Sequence, residues 1–294
     1  MVKQPLAEIF GFKFDDQSTS ALRYRKNRLC PYNNRVPNCT KDKADNPLGV
    51  CSVLHNDNAV ITCPIRFRQD WLIADDAAAF FFSADTKWTS LTEVRLQDKH
   101  GKSAGNIDVV LVSYDISGKL IDFGALEVQA VYISGNVRRP FEAYMQDPSA
   151  NQFMDWSTEL HYPSPDFLSS SRKRLAPQLL YKGGILNNWR KKTAVALDMP
   201  FYRTLPKLRE VPIDSADMAF FVYDLVERSD GKGYELEKVL TIYTEFNAAL
   251  HALTCSEAGS VDDFINVLQR KLDKIFVEET PPDAPTLDQI VGGP

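Results

Sequence analysis

The stretch NIDVVLVSYDISGKLIDFGALEVQAVYI, Asn106–Ile133, decides how the chain is read. Its two halves are β-branched and apolar, and Ser117-Gly118 between them is a turn signal, so the spacing predicts a buried antiparallel hairpin. Asp108 falls at the start of the first strand. Glu127 and Gln129 lie two apart near the end of the second and therefore share a face. In an antiparallel pair the beginning of one strand lies beside the end of the next. Three polar side chains thus meet at one edge of an apolar sheet.

The order Asp108, Glu127-x-Gln129 is a variant of the D…[DE]-x-K pattern found in nucleases. A lone acid at a strand end is usually solvated or salt-bridged. Here Val109, Val110, Leu111 and Val112 follow Asp108, while Leu126, Val128 and Val131 surround the other two, so the acids are expected to be partly desolvated. Two carboxylates held there without a cation repel each other and lose hydration. A divalent metal such as magnesium relieves both costs, lowers the pKa of a bound water and stabilises charge on a transferring phosphoryl group. The Val128 carbonyl lies between the two side chains as a further ligand. Glu93, on a strand expected at Trp88–Leu96, would complete a second metal site from the neighbouring strand. Gln129 would orient the attacking water.

Outward from the hairpin, apolar residues at helical spacing predict a core helix over Arg66–Phe82, and Pro5–Phe10 reads as a short helix. Pro140 suits the first turn of a helix over Phe141–Gln146. Residues 147–168 read as an extended loop. A helix is expected over Ser169–Lys182, divided at Pro177 and ended by Gly183-Gly184. Strands follow at Thr193–Leu197, Met218–Asp224 and Tyr234–Tyr243, then helices near Thr244–Leu253 and Val261–Phe276. This order predicts an α/β (α+β) fold with a mixed central sheet. The expected divisions are an N-terminal adaptor and cysteine segment over 1–65, a core over 66–277, and an acidic tail over 278–294.

The net charge of −5 argues against nucleic acid as a partner, but the charge is uneven. Residues 134–210 carry 12 basic and 7 acidic side chains, whereas 211–294 carry 6 and 16. A basic middle is compatible with phosphate contact, although solvated surface is the commoner fate of a single Lys or Arg. No apolar run is long enough to span a bilayer, and the N-terminus lacks a secretory pattern, so no membrane partner and a cytoplasmic location are expected. Cys30, Cys39, Cys51 and Cys63 follow a C-x8-C-x11-C-x11-C spacing in a segment rich in Pro and Asn. Four clustered thiols in a cytoplasmic chain more often hold a metal than form disulfides. A four-sulfur site suits zinc or iron, and composition leaves the choice open. His55 is an alternative ligand.

The run GALEVQAVYISGNVRR, the upstream GNIDVVLV, the later RLAPQLLYKGG and the four cysteines, in that order, resemble the NotI-type restriction endonucleases over roughly residues 1–205. The resemblance implies a type II restriction endonuclease with a PD-(D/E)XK core, cutting a GC-rich palindrome in double-stranded DNA as a magnesium-dependent homodimer. It implies structural iron at Cys30, Cys39, Cys51 and Cys63, and matches Asp108, Glu127 and Gln129, with Glu93 as an additional acid, to catalytic positions. Two departures stand out: Gln129 replaces the usual lysine, and Ile107 stands where the pattern has proline. Arg138, Arg139, Arg172, Lys173, Arg174, Lys182, Asn187, Asn188 and Arg190, with Lys191 and Lys192, are the candidates for phosphate or base contact. The missing lysine keeps a rival open: a catalytically inactive DNA-binding or accessory protein on the same scaffold.

Overall fold

The computed structural model describes residues 4–33, 36–43, 45–256 and 258–277. In chain order the strands are β1 (Leu6–Ile9), β2 (Phe12–Lys13), β3 (Val50–His55), β4 (Asn58–Ile61), β5 (Trp88–Gln97), β6 (Ser103–Tyr114), β7 (Leu120–Gln129), β8 (Tyr132–Ser134), β9 (Ser164–Asp166), β10 (Thr193–Asp198), β11 (Met218–Glu227) and β12 (Tyr234–Thr244). Six of them form the central sheet, in the order β12-β11-β10-β7-β6-β5. β10 runs parallel to both β7 and β11, and the remaining pairs are antiparallel. The sheet is therefore mixed, as expected.

Alternation sorts the sheet's side chains onto two faces. Val195, Leu197, Phe220 and Val222 pack with Leu175, Leu179, Phe246 and residues of the N-terminal strands. Ala194, Ala196, Val109, Leu111 and Leu126 pack on the opposite face against the helix Leu72–Phe81. Alanines on both surfaces let that helix lie close. Gly124 in β7 allows the closest approach, because a Cβ there would sit 2.4 Å from the Phe81 ring.

The strands β2-β1-β3-β4 form a second sheet whose Leu6, Ile9, Val50, Val53 and Val60 belong to the same core as Val195 and Phe220. Asp198 ties the two sheets together, since its Oδ2 accepts from the Ile61 amide at 2.8 Å. Burial pushes that carboxyl up to about 7 despite this donor. Residues 1–65 and 66–254 thus share one compact unit, and the chain divides after Thr254. The second unit begins at Cys255 and contains the helix Val261–Val277, on which Val261, Ile265, Leu268, Leu272 and Ile275 form one apolar stripe. The tail expected over 278–294 lies outside the described residues. Among those described, no helix is long and apolar enough to cross a membrane.

Four local expectations are corrected. Leu6–Ile9 is a strand with every residue buried, because pairing with β2 and β3 outweighs the helix-start signal of Pro5. The helix expected over Arg66–Phe82 is split into a 3₁₀ stretch, Pro64–Trp71, and the helix Leu72–Phe81. The break falls where Asp70 and Trp71 take left-handed φ of 51° and 54°. The cysteine segment is less loop-rich than its Pro and Asn content suggests, as β3 and β4 lie inside it. Gly183-Gly184 does not end a helix: helical winding runs from Phe167 to Asn188, with π-type turns at Ser170–Leu175 and Leu179–Gly183. Pro177 lacks the amide that a regular ladder needs. Gly183 is small for a packing reason, since the Phe246 ring lies 2.5 Å from where its Cβ would be.

Candidate active site

The register of the central sheet sets three acids in one row. Thr92 pairs with Val109 and Val94 with Ile107, which places Glu93 opposite Asp108. Val109 pairs with Leu126, which places Asp108 opposite Glu127. Glu127 in turn pairs with Val195 of the parallel strand β10. The site lies toward the carboxyl end of β7, the usual side for function in parallel α/β arrangements. Glu93 takes a left-handed φ of 59° inside β5, a strained backbone for a non-glycine residue and of the kind that collects at functional sites.

The three acids do not share one environment. Glu93 is exposed, Asp108 half-buried, and Glu127 only 2 % exposed. Asp108 Oδ2 accepts from the Val128 amide at 2.8 Å. Burial is the main cause that pushes the Glu127 carboxyl up to about 8, and the neighbouring Asp108 adds to it. Asp108 is also raised, chiefly by burial, with Glu93 contributing. The two carboxyls lie close enough to share a hydrogen bond when one is protonated. With both ionised, Glu127 Oε1 is buried without a donor. That oxygen requires either a proton or a cation.

Lys182 is the residue whose place the sequence concealed. Expected as a surface contact to phosphate, it is 4 % exposed, and its Nζ donates to Glu127 Oε2 at 2.5 Å and to the Asn106 carbonyl at 2.8 Å. One signal could have found it: Leu175, Leu179, Lys182 and Leu186 recur at helical spacing, so a lysine stands within an apolar stripe. Gln129, by contrast, donates its amide to the Ala130 carbonyl at 2.8 Å and makes no hydrogen bond to either acid. Among the described residues no three of His, Cys, Asp and Glu form a metal-binding group, so Glu93 stands in the row without joining the pair.

Asp108 and Val128 open onto a cleft of about 660 Å³, rimmed by Lys41, Arg138 and Arg174. Arg138 is held by Asp42 and by the Asn46 carbonyl. Arg174 lies over the Tyr132 ring at 4.9 Å. Arg139 pairs with Glu159 at 3.0 Å. Arg172, Lys173, Asn188 and Arg190 are exposed and Asn187 half-buried, none of them lining this cleft. Lys191 and Lys192 are engaged by the fold, through Asp122 at 2.5 Å and the Phe80 carbonyl at 2.8 Å. A second cleft of about 720 Å³, between Tyr32, Trp71 and Tyr234, holds none of the site acids.

Cys30, Cys39, Cys51 and Cys63 line one small cavity of about 10 Å³. As placed they are free thiols that do not form a metal-binding cluster, so the expected four-cysteine metal centre is not supported by the arrangement itself. Burial pushes the Cys30 thiol up to about 11 and raises Cys39 and Cys51 as well, and neighbouring cysteines add to each. His55 packs edge-on against Phe167 instead, their ring centroids 5.8 Å apart.

A mixed sheet that brings an aspartate and a glutamate together beside a basic-rimmed cleft defines a protein suited to phosphodiester chemistry. The family model described as Restriction endonuclease NotI matches residues 8–236, which include every acid of the row and all of both sheets except the start of β1 and most of β12. The chain belongs to that family, and it is a type II restriction endonuclease that binds DNA and cleaves it sequence-specifically. No curated protein matches it in sequence.

Proposed function

We propose that the chain works as a magnesium-dependent homodimer on a PD-(D/E)XK core, cutting both strands of a GC-rich palindrome at Asp108 and Glu127. One observation carries this reading: two carboxyls meet in a buried setting where Glu127 Oε1 has no donor. The donor set fits a hard divalent cation, with two carboxylates and the Val128 carbonyl between them. Magnesium sites commonly use one or two carboxylates and fill the remaining positions with water and substrate phosphate, so a third acid is not required. When bound, the ion supplies Lewis acidity toward a phosphoryl oxygen and a water of lowered pKa.

The chain's own residues do the rest. The Val128 amide fixes Asp108 Oδ2, and Asp108 lines the cleft. Arg138, Arg174 and Lys41 at the rim suit phosphate oxygens on either side of the scissile bond. Gln129 Oε1 accepts none of the described hydrogen bonds and is available to orient a water. A homodimer follows from symmetry, because a palindrome presents the same half-site twice about a twofold axis. Plasmid DNA incubated with the protein and magnesium is expected to give discrete fragments, and none with a chelator. Retarded but intact DNA across magnesium and manganese would leave a binding protein in place of an enzyme of this kind.

The four cysteines belong to the same reading as a structural iron site, with zinc as the alternative. What favours it is that all four line one small cavity, although as placed they do not form a metal-binding cluster. Protein purified without added metal is expected to contain stoichiometric iron and to absorb visibly through thiolate-to-iron charge transfer. Colourless protein with stoichiometric zinc would change the metal, and folded protein free of both would remove the site.

A further inference from the structure

We propose that Lys182 is the cation of the active site, a positioning residue that acts through Glu127 and replaces the positive charge absent at Gln129. This rests on the reading of Asp108 and Glu127 as the cleavage site and deepens it.

An ammonium group is rarely buried without a partner, because the loss of hydration costs several kcal/mol. Lys182 is buried with its Nζ held between a carboxylate oxygen and a peptide carbonyl, the first contact fully buried and the second partly so. The contact spans 55 residues of sequence, so helical geometry on its own does not explain it. Lys182 lies in the second π-type stretch, Leu179–Gly183, and winding of that kind concentrates at functional positions because it shifts a side chain out of regular phase. The neighbours Leu179 and Leu186 are buried on the sheet, which holds the helix in place and leaves Lys182 directed at the acid pair.

The consequence lies in which oxygen of Glu127 is free. Lys182 binds Oε2 and leaves Oε1 as the unpartnered atom. The carboxylate is thus oriented before any cation arrives, and its charge is balanced without a lysine at position 129. The charges facing this pair are Asp108 from β6 and, more distantly, Glu93 from β5. The cluster carries one cation against three acids, which favours a divalent ion and not a second lysine.

The test compares Lys182→Met, the double variant Lys182→Met/Gln129→Lys, and Glu127→Gln. Each is measured for cleavage of a cognate duplex, for calcium binding to the protein–DNA complex by calorimetry, and for melting temperature. Lys182→Met is expected to lower kcat about 100-fold, the usual cost of losing one preorganised donor, with KM changed less than about threefold. Calcium is expected still to bind, because both carboxylates remain. The lysine at position 129, on the same face as Glu127, is expected to recover at least about tenfold of the lost kcat. Wild-type kcat in Lys182→Met would overturn the proposal. So would a loss of calcium binding and melting temperature that the second lysine fails to repair, since that is the signature of a purely structural ion pair. If Glu127→Gln cuts like the parent, the site itself is misplaced and the inference falls with it. If only Lys182→Met does so, the site stands and the lysine's role falls.

Discussion

Protein carrying Glu127→Gln is expected to bind its DNA site and leave it uncut in magnesium. The amide keeps the shape of the side chain and an acceptor for Lys182, so the buried ammonium retains a partner. What it removes is the anionic oxygen that the cation requires. Lewis-acid stabilisation of a phosphoryl transition state is worth several kcal/mol, so the rate is expected to fall on the order of 10³-fold or more. Glu127→Ala is the blunter change. It strands the Lys182 ammonium in the interior, and breaking one half of a buried pair costs about 3–5 kcal/mol. A drop in melting temperature should therefore accompany lost cleavage in the alanine variant and be much smaller in the glutamine variant. Gel retardation with a cognate duplex separates binding from cutting. Undiminished cleavage by Glu127→Gln would remove Glu127 from the chemistry.

Glu8→Ala is expected to cause a loss of stability as large as that of Glu127→Ala, at a place remote from the acid pair. Glu8 and Arg66 are both essentially inaccessible to solvent, and the Arg66 Nε lies 3.0 Å from each Glu8 oxygen. The Ser52 hydroxyl donates to the same carboxylate at 2.8 Å. The guanidinium reaches the Gln69 side chain at 2.8 Å and the Tyr234 carbonyl at 3.0 Å, and it lies under the Tyr32 ring at 4.4 Å. Arg66 of the 3₁₀ stretch thus joins β1 and β12, and Ser52 of β3 reaches the same carboxylate. Removing Glu8 leaves this guanidinium buried and uncompensated, a loss of about 3–5 kcal/mol. Arg66→Met combined with Glu8→Leu should recover much of it, because the uncompensated charge is gone and apolar volume replaces it. Urea denaturation of the three proteins measures the difference. A Glu8→Ala protein as stable as the parent would show that the pair contributes nothing to holding the N-terminal sheet.

The hairpin is legible in the sequence because its information is local. A Ser-Gly turn and two runs of β-branched residues specify the pairing of β6 with β7, and period-two alternation then fixes which residues face Asp108. The family was legible for the same reason: its motifs are short runs that keep their order along the chain. Local patterns misled where a distant partner decided the outcome. Residues 6–9 follow a helix-start proline and still form a strand, because only the folded chain supplies β3 on one side and Arg66 for Glu8. Gly183 looked like a helix end and is instead a point of contact with Phe246.

By itself, then, the sequence determined the acids, their strands and the family. Tertiary structure alone decided that the positive charge beside Glu127 comes from Lys182 and not from position 129. The physical reason is that strand alternation is set by bonds a residue or two away. The helical spacing of Leu175, Leu179, Lys182 and Leu186 marks the lysine as buried, but its meeting with a strand carboxylate is set by how a whole helix packs on a sheet.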